Sequence, residues 1–292
     1  MLRKVKINNL INWSHHRFGW HHIINELTNN IHNPHGIDFY TNGTFKKFIS
    51  DYNYVHTSYW LAFFHITPSD PFICKHLLEN RNFQESIKTC KGIFTLSQRS
   101  SNFLRKYITC PILSVKYPMP PQFGNFILDD YIKNNEKKVY FVGHWLRNYD
   151  DFYKLKTVNQ KVLLRCPDTP KEIHGSNFLP EDQYDLIFKK NIIFLSLFDS
   201  SANTVILECI ANSTPILVNR LEAVVEYLGK DYPLYYDNMN QASELVNSIR
   251  KIEEAHFYLK NMNKNELTLE SFQKQITDSH IYQKLPCFGK LL

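Results

Sequence analysis

The stretch from Asn191 to Asn238, NIIFLSLFDSSANTVILECIANSTPILVNRLEAVVEYLGKDYPLYYDN, leaves this chain few ways to fold. Ile192 to Phe198 is an apolar run that ends in the turn-prone Asp199-Ser200-Ser201, the pattern of a strand buried on both faces that stops in a polar loop. Ser201 or Asn203 is placed to cap a helix, and Val205, Ile206, Cys209 and Ile210 form an apolar stripe at helical spacing. Asn212-Ser213 stops that helix. Pro215 to Val218 reads as a second buried strand, Glu222 to Leu228 as a short helix closed by Gly229, and Pro233 to Tyr236 as a third strand. A βαβαβ unit with connections this short requires a parallel, helix-covered sheet. Ligands of such sheets bind at the carboxyl ends of the strands. Here that edge carries Asp199, the Ser200 to Thr204 loop, a helix N-terminus and Glu208 one turn in.

The rest of the chain repeats the alternation. Val5 to Trp13 reads as a strand, Ser14 to Trp20 as a polar loop holding Gly19, and His21 to Ile31 as a helix. Gly36 to Tyr40 is the next strand, Phe45 to Phe48 a short helix, and Tyr59 to His65 a buried strand ending in the proline-broken loop at 67–71. A helix around Glu79 to Lys88, a strand Gly92 to Leu96, a helix Ser97 to Tyr107 capped by Ser97 or Ser100, and a strand Ile112 to Val115 follow. Pro118, Pro120, Pro121 and Gly124 punctuate the chain most clearly, which sets a first domain at 1–121 and a second at 122–265. The second opens with a helix Asp129 to Asn135 and a strand Val139 to Val142 ending in Gly143, then a strand Lys161 to Arg165 and a helix Tyr184 to Lys190. Beyond Tyr236 two amphipathic helices are expected, Asn240 to Met262 and Glu266 to Lys284, the latter (266–292) available to cross back to the first lobe. The fold class is α/β: two lobes with parallel sheets facing a central cleft.

Composition narrows the function. The formal charge of +6 is spread without a block of like charges, which fits an enzyme for anionic ligands and argues against nucleic acid as partner. Six cysteines without a CxxC pair point to reduced thiols in a cytoplasmic setting, with neither zinc nor a disulfide framework. No secretory leader is legible and no run approaches 18 apolar residues, so only peripheral contact with a membrane stays open. His15, His16, His21 and His22 cluster, but no carboxylate stands at ligand spacing and no metal site is expected.

In the second lobe Gly143 lets a ligand approach the backbone, Arg147 stands four residues on, and Lys154 and Lys156 follow. A cation pair with exposed helix N–H groups suits a pyrophosphate, and a carboxylate near the helix start suits a ribose diol. The segment SSANTVILECIANSTPILVN followed by AVVEYLG resembles the donor-binding motif of retaining glycosyltransferases of the GT-B architecture, which have two Rossmann-like lobes. In that family a Glu, seven residues and a second Glu precede a small-residue helix and a Thr-Pro-hydrophobic strand. Glu208 falls on the second Glu, with Leu207, Ala211, Thr214 and Pro215 in register, whereas Ser200 stands at the first.

The resemblance implies that Glu208 holds the nucleotide ribose and that Arg147 and Lys154, or Lys156 in its place, grip the donor diphosphate. It also implies that Ser200, Ala202, Asn203 and Thr204 line the phosphate and sugar, with Gly143 beside them. Tyr184 and Asp185 would lie near the base. In the first lobe Gly19 would lie close to the diphosphate and acceptor, and His65 would face the donor sugar or act as base in an inverting reaction. No Asp-x-Asp occurs, so protein cations are expected to stabilise the leaving diphosphate without a metal. The expected activity is a hexosyltransferase taking a UDP- or GDP-sugar as substrate, with no further cofactor, and a glycan or other hydroxyl compound as acceptor. A nucleotide-sugar epimerase of the same fold and a non-catalytic nucleotide-sugar-binding protein are the alternatives, the second because of Ser200.

Overall fold

The computed structural model describes residues 3–9, 19–42, 48, 54–69, 76–165, 175 and 179–286. The end of the first strand, the loop before Gly19, the short helix before Phe48 and most of the loop beyond Ser69 lie outside the described residues. The chain divides into two compact units, one of residues 1–118 with 265–292 and one of 119–264.

In the first unit β1 (Val5–Asn9), β2 (Ile37–Asn42), β3 (Trp60–Phe64), β4 (Cys90–Thr95) and β5 (Ile112–Ser114) lie side by side in that order, every pair parallel. Helices α1 (Trp20–Ile31), α2 (Arg81–Ile87) and α3 (Gln98–Leu104) make the returns. β3 is buried at every position, as a central strand covered on both faces must be. The helix starts obey side-chain chemistry: Asn80 accepts from the Phe83 N–H at 2.9 Å, and Ser97, not Ser100, accepts from the Ser100 N–H at 3.2 Å.

The second unit runs α4 (Leu128–Lys133), β6 (Lys138–Val142), α5 (Tyr149–Lys154), β7 (Gln160–Leu164), α6 (Glu181–Lys190), β8 (Ile192–Leu195), α7 (Thr204–Asn212), β9 (Ile216–Asn219), α8 (Glu222–Leu228), β10 (Tyr235–Tyr236), α9 (Met239–Val246) and α10 (Ile249–Asn261). Its parallel sheet has the order β10-β9-β8-β6-β7, so the winding direction reverses between β6 and β8. In open α/β sheets that reversal is where ligands settle, outside the carboxyl ends of the strands.

Three sequence expectations change here. β8 ends at Leu195, three residues short of Phe198, because Leu197 leaves the ladder and bonds through both its N–H and its C=O to the Asn219 side chain, each at 2.9 Å. The helix expected from Asn240 to Met262 breaks in two, since Ser248 accepts from the Lys251 N–H at 3.3 Å and starts α10 afresh. The last segment breaks likewise into a 3₁₀ turn (Asn265–Leu267), α11 (Leu269–Thr277) and α12 (His280–Gln283), with Thr268 and Ser279 as caps.

That last segment is part of the first unit. Phe272 is fully buried and stacks on Phe63 of β3 at 5.8 Å and 16°. Gly92 makes room for Ile281, because a Cβ there would sit 2.5 Å from Ile281 Cγ2. The buried Lys4 donates to the carbonyls of Gln283 at 2.9 Å and Leu285 at 3.1 Å.

Candidate functional site

Glu208 lies in the second turn of α7, the helix that follows β8, and is only 5% exposed. A carboxylate so placed needs a partner, and the Tyr184 hydroxyl of α6 donates to its Oε2 at 2.8 Å. The Tyr184 ring is held edge-on against Phe188 one turn along, with centroids 5.2 Å apart. The neighbouring Cys209 thiol is pushed well up by burial and by the Glu208 charge, so it serves as packing and not as a nucleophile. Tyr184 was expected beside a base; the structure puts its hydroxyl on Glu208.

The loop into α7 is self-satisfying. Asn203, not Ser201, caps the helix by accepting from the N–H groups of Val205 at 3.1 Å and Ile206 at 3.3 Å. Asp199 is buried and its Oδ1 accepts from the Ser200 N–H at 2.8 Å. Ser200 spends its hydroxyl on the Ser201 carbonyl at 2.9 Å. The Ser201 hydroxyl, by contrast, is buried without a hydrogen-bond partner among the described residues. Ala202, Asn203 and Thr204 remain half-exposed beside it.

The loop after β6 is built around Arg147, which is 9% exposed. Its Nε donates to the Val142 carbonyl at 2.9 Å and its Nη1 to the Trp145 carbonyl at 3.1 Å, so the guanidinium braces its own loop. Nη2 occupies the space a side chain at 143 would need: a Cβ on Gly143, whose φ is +87°, would lie 2.8 Å from it. Leu146 adopts a φ of +58°, a conformation that costs a non-glycine residue about 1–2 kcal/mol and that no sequence signal announced. Bonds from the Asn148 N–H to the Ser196 carbonyl (2.9 Å) and from the Phe198 N–H to the Leu146 carbonyl (3.0 Å) then stitch this loop to the one after β8, with Arg147 opposite Leu197 as an antiparallel bridge. Asp151 adds to the brace, accepting from the Ser196 hydroxyl at 2.6 Å and the Asn148 amide at 3.0 Å.

Lys154 does not join Arg147. It stands exposed in the last turn of α5. The carbonyls of that turn receive the Lys161 ammonium (Phe152 at 2.7 Å, Leu155 at 3.0 Å), and Lys161 is paired in register with Val139 at the start of β6. The end of α5 therefore lies at the amino edge of the sheet, opposite Gly143. Lys156 is exposed and its N–H donates to Ser243 Oγ at 3.0 Å. The cation pair expected from spacing is thus not assembled, because the six-residue α5 carries its C-terminal lysine to the far edge.

In the first unit Gly19 is the N-cap of α1 and brings no side-chain cap bond. The next residue, Trp20, packs its ring 5.5 Å from His65 just past β3 and 5.3 Å from Tyr117. The Trp20 indole, next in sequence to Gly19, thus packs beside His65 at the carboxyl end of β3. Among the described residues no group of His, Cys, Asp and Glu side chains is arranged to hold a metal ion, and no helix is long and apolar enough to cross a membrane.

No protein-family profile matches this chain, and no curated protein is similar to it in sequence. Solved structures are similar in fold. A sucrose-phosphate synthase from Thermosynechococcus elongatus superposes with a TM-score of 0.57 at 10% identity, over 89% of this chain and 76% of its own. Alr3699/HepE from Anabaena, in complex with UDP and glucose, gives a TM-score of 0.63 at 11% identity, over 82% of this chain and 77% of its own. WaaG, a glycosyltransferase involved in lipopolysaccharide biosynthesis, gives 0.56 at 12% identity, over 87% and 80%. With its two parallel α/β units, the chain has the GT-B fold of these glycosyltransferases.

Proposed function

We propose that this protein is a glycosyltransferase that moves a hexose from a nucleoside-diphosphate sugar, a UDP- or GDP-sugar, to a glycan or other hydroxyl acceptor without a metal ion. The observation that carries the reading is the Glu208 carboxylate, buried and oriented by Tyr184 on the helix that follows β8, within the GT-B fold. The Glu208 carboxylate accepts from the ribose diol, to which a charged acceptor is worth about 1.5–3 kcal/mol. The diphosphate meets the N-terminal turn of α7 at Asn203 and Thr204, with the unpartnered Ser201 hydroxyl as a further donor. Charge that develops on the leaving diphosphate is stabilised by these fixed donors and by the Arg147 charge beneath Gly143. Gly19 and His65 are the proposed functional residues of the first unit, His65 as a sugar contact or as base.

A nucleotide-sugar-binding protein without turnover is the second reading, favoured by Lys154 lying at the far sheet edge and by the Ser200 hydroxyl being used within its own turn. The test is calorimetric titration with UDP, GDP and their glucose, galactose, N-acetylglucosamine and mannose conjugates, with and without EDTA, followed by product analysis with and without added glycosides. Binding that Glu208→Ala weakens at least tenfold supports the site. Absence of binding to the whole panel refutes it, loss of binding in EDTA refutes metal independence, and sugar isomerisation without acceptor would establish an epimerase.

A further inference from the structure

Cys90 and Cys110 are free thiols of the first unit that meet on one face of its sheet. Strand alternation alone would not bring them together. A regular β4 would turn Cys90 to the face of Gly92, which Ile281 covers. A β-bulge changes this: Trp60 pairs with Cys90 and Leu61 with Gly92, so Lys91 is an extra residue without a partner on β3. Lys91 lays its Nζ 3.4 Å from the centre of the exposed Tyr59 ring. Cys90 thereby joins Trp60, Ala62, Phe64 and Ile93 in the opposite half of the core. On the next strand Ile112 is in register with Ile93, and Cys110, two residues before it, packs against the same side chains. The two thiols lie within hydrogen-bond reach of each other.

We propose that Cys90 and Cys110 are a redox-responsive dithiol, which hydrogen peroxide converts to an intramolecular disulfide that fastens β4 to the chain entering β5. Neighbouring strands run about 4.8 Å apart and a disulfide spans Cα atoms about 4.4–6.8 Å apart, so a bond between these two is within reach. The backbone there is already held: the Ile93 N–H donates to the Pro111 carbonyl at 2.9 Å and Arg105 Nη2 to the Ile112 carbonyl at 3.0 Å. The two thiols differ in access. Cys110 is half-buried beside the exposed Thr109 and Pro111, whereas Cys90 is buried. Burial, and then the neighbouring Cys110, pushes the Cys90 thiol well up, so Cys110 is the residue that meets the oxidant. Its thiolate attacks one peroxide oxygen, the O–O bond breaks, and the sulfur gives up two electrons to become a sulfenic acid while hydroxide leaves and takes the thiol proton as water. The Cys90 sulfur then attacks the Cys110 sulfur. The S–S bond forms as the S–O bond breaks, and the departing hydroxide carries off the Cys90 proton as a second water. The pair stands at the amino edge of the first sheet, at the start of β4 and before β5, whereas His65 follows the carboxyl end of β3, so the bond forms independently of the reaction proposed above.

The test is made on the full chain, reduced, folded and at neutral pH. It is treated with an equimolar amount of hydrogen peroxide, alkylated with iodoacetamide, digested with trypsin without reductant and examined by mass spectrometry. The expected product is the tryptic peptide 89–91 joined to 107–116, two hydrogens lighter than the separate peptides and released by dithiothreitol. Closing a loop of about 20 residues should raise the melting temperature of the first unit by roughly 5–10 °C. Cys110→Ser should abolish the joined peptide and leave Cys90 an unmodified thiol, and Cys90→Ala should let Cys110 go on to the sulfinic acid. Sulfinic acid at Cys110 beside an unreacted Cys90 in the wild type would overturn the proposal, as would a disulfide from either residue to another cysteine or no reaction at either. A joined peptide whose formation leaves the melting temperature unchanged or lower would overturn it as well, because the bond would then hold a distorted fold.

Discussion

The Tyr184–Glu208 bond yields a quantitative prediction. Glu208 is nearly excluded from water and Tyr184 donates to it at 2.8 Å, so Tyr184→Phe removes a hydrogen bond to a buried carboxylate. That should cost about 1–3 kcal/mol of folding stability. Its effect on ligand binding should be smaller and indirect. With the phenol gone, the carboxylate is held less firmly before the ribose binds, an ordering term of about 0.5–1.5 kcal/mol, equivalent to a rise in the UDP Kd of roughly two- to tenfold. Glu208→Gln removes the charged acceptor and should raise Kd by roughly ten- to a hundredfold, from about 1.5–3 kcal/mol. Because Tyr184 acts through Glu208, the double variant should bind UDP no more weakly than Glu208→Gln alone. The assay is calorimetry on all four proteins, with urea unfolding alongside. Additivity of the two binding losses to within about 0.3–0.5 kcal/mol would mean that Tyr184 touches the nucleotide itself or acts elsewhere, and the positioning role would be refuted.

Gly143→Ala should destabilise the protein by about 1–2 kcal/mol from the positive φ alone, with a further loss because the new methyl meets the Arg147 guanidinium. A change below about 0.5 kcal/mol in urea unfolding would show that the loop repacks freely. Phe272→Ala should cost about 3–5 kcal/mol, measured as a lower urea midpoint of the first unit, since Phe272 is fully buried against Phe63; a near-neutral result would mean that the segment 265–292 adds little to that core. Lys154→Ala should leave the UDP Kd within about twofold at 0.15 M salt, where charges more than about 8 Å apart are largely screened; a large loss would contradict its place at the amino edge. His256 is held below its ordinary value near 6.5, first by burial and then by Lys260 and Lys264, against the Ser213 carbonyl that it contacts at 2.8 Å. Its neutral form is the native one. As pH falls below about 6.5 the unfolded chain takes up a proton that the folded chain resists, so stability should drop from pH 7 to 5. His256→Gln should flatten that slope, and an unchanged slope would exclude His256 as its source.

Much of the second unit was legible from residue order alone. Ile192 to Leu195 and Ile216 to Val218 are unbroken apolar runs because a parallel strand is covered on both faces, and that requirement is local. The caps Ser97 and Asn203 were among the candidates for the same reason: a cap bonds to a backbone group two or three residues away. The breaks at Ser248 and Thr268 carried that signal too, but the amphipathic spacing on either side ran through them and masked it. Glu208 was placed from a motif that runs unbroken along the chain from the loop before α7 to the start of β9.

The sequence by itself thus determined the α/β class, the positions of most strands and caps, and the carboxylate on α7, all set by contacts within a few residues. Only the tertiary structure decided the sheet order, the reversal between β6 and β8, and the packing of Phe272 and Ile281 into the first unit. It alone showed Tyr184 reaching Glu208 and Asn219 clamping Leu197. It also decided which cations share an edge. Arg147 and Lys154 lie seven residues apart, but a helix carries the second to the opposite end of the strands while the first folds under its own loop. Spacing along the chain does not say on which end of a sheet a side chain emerges; the length of the connecting helix and the bonds of the loop before it do.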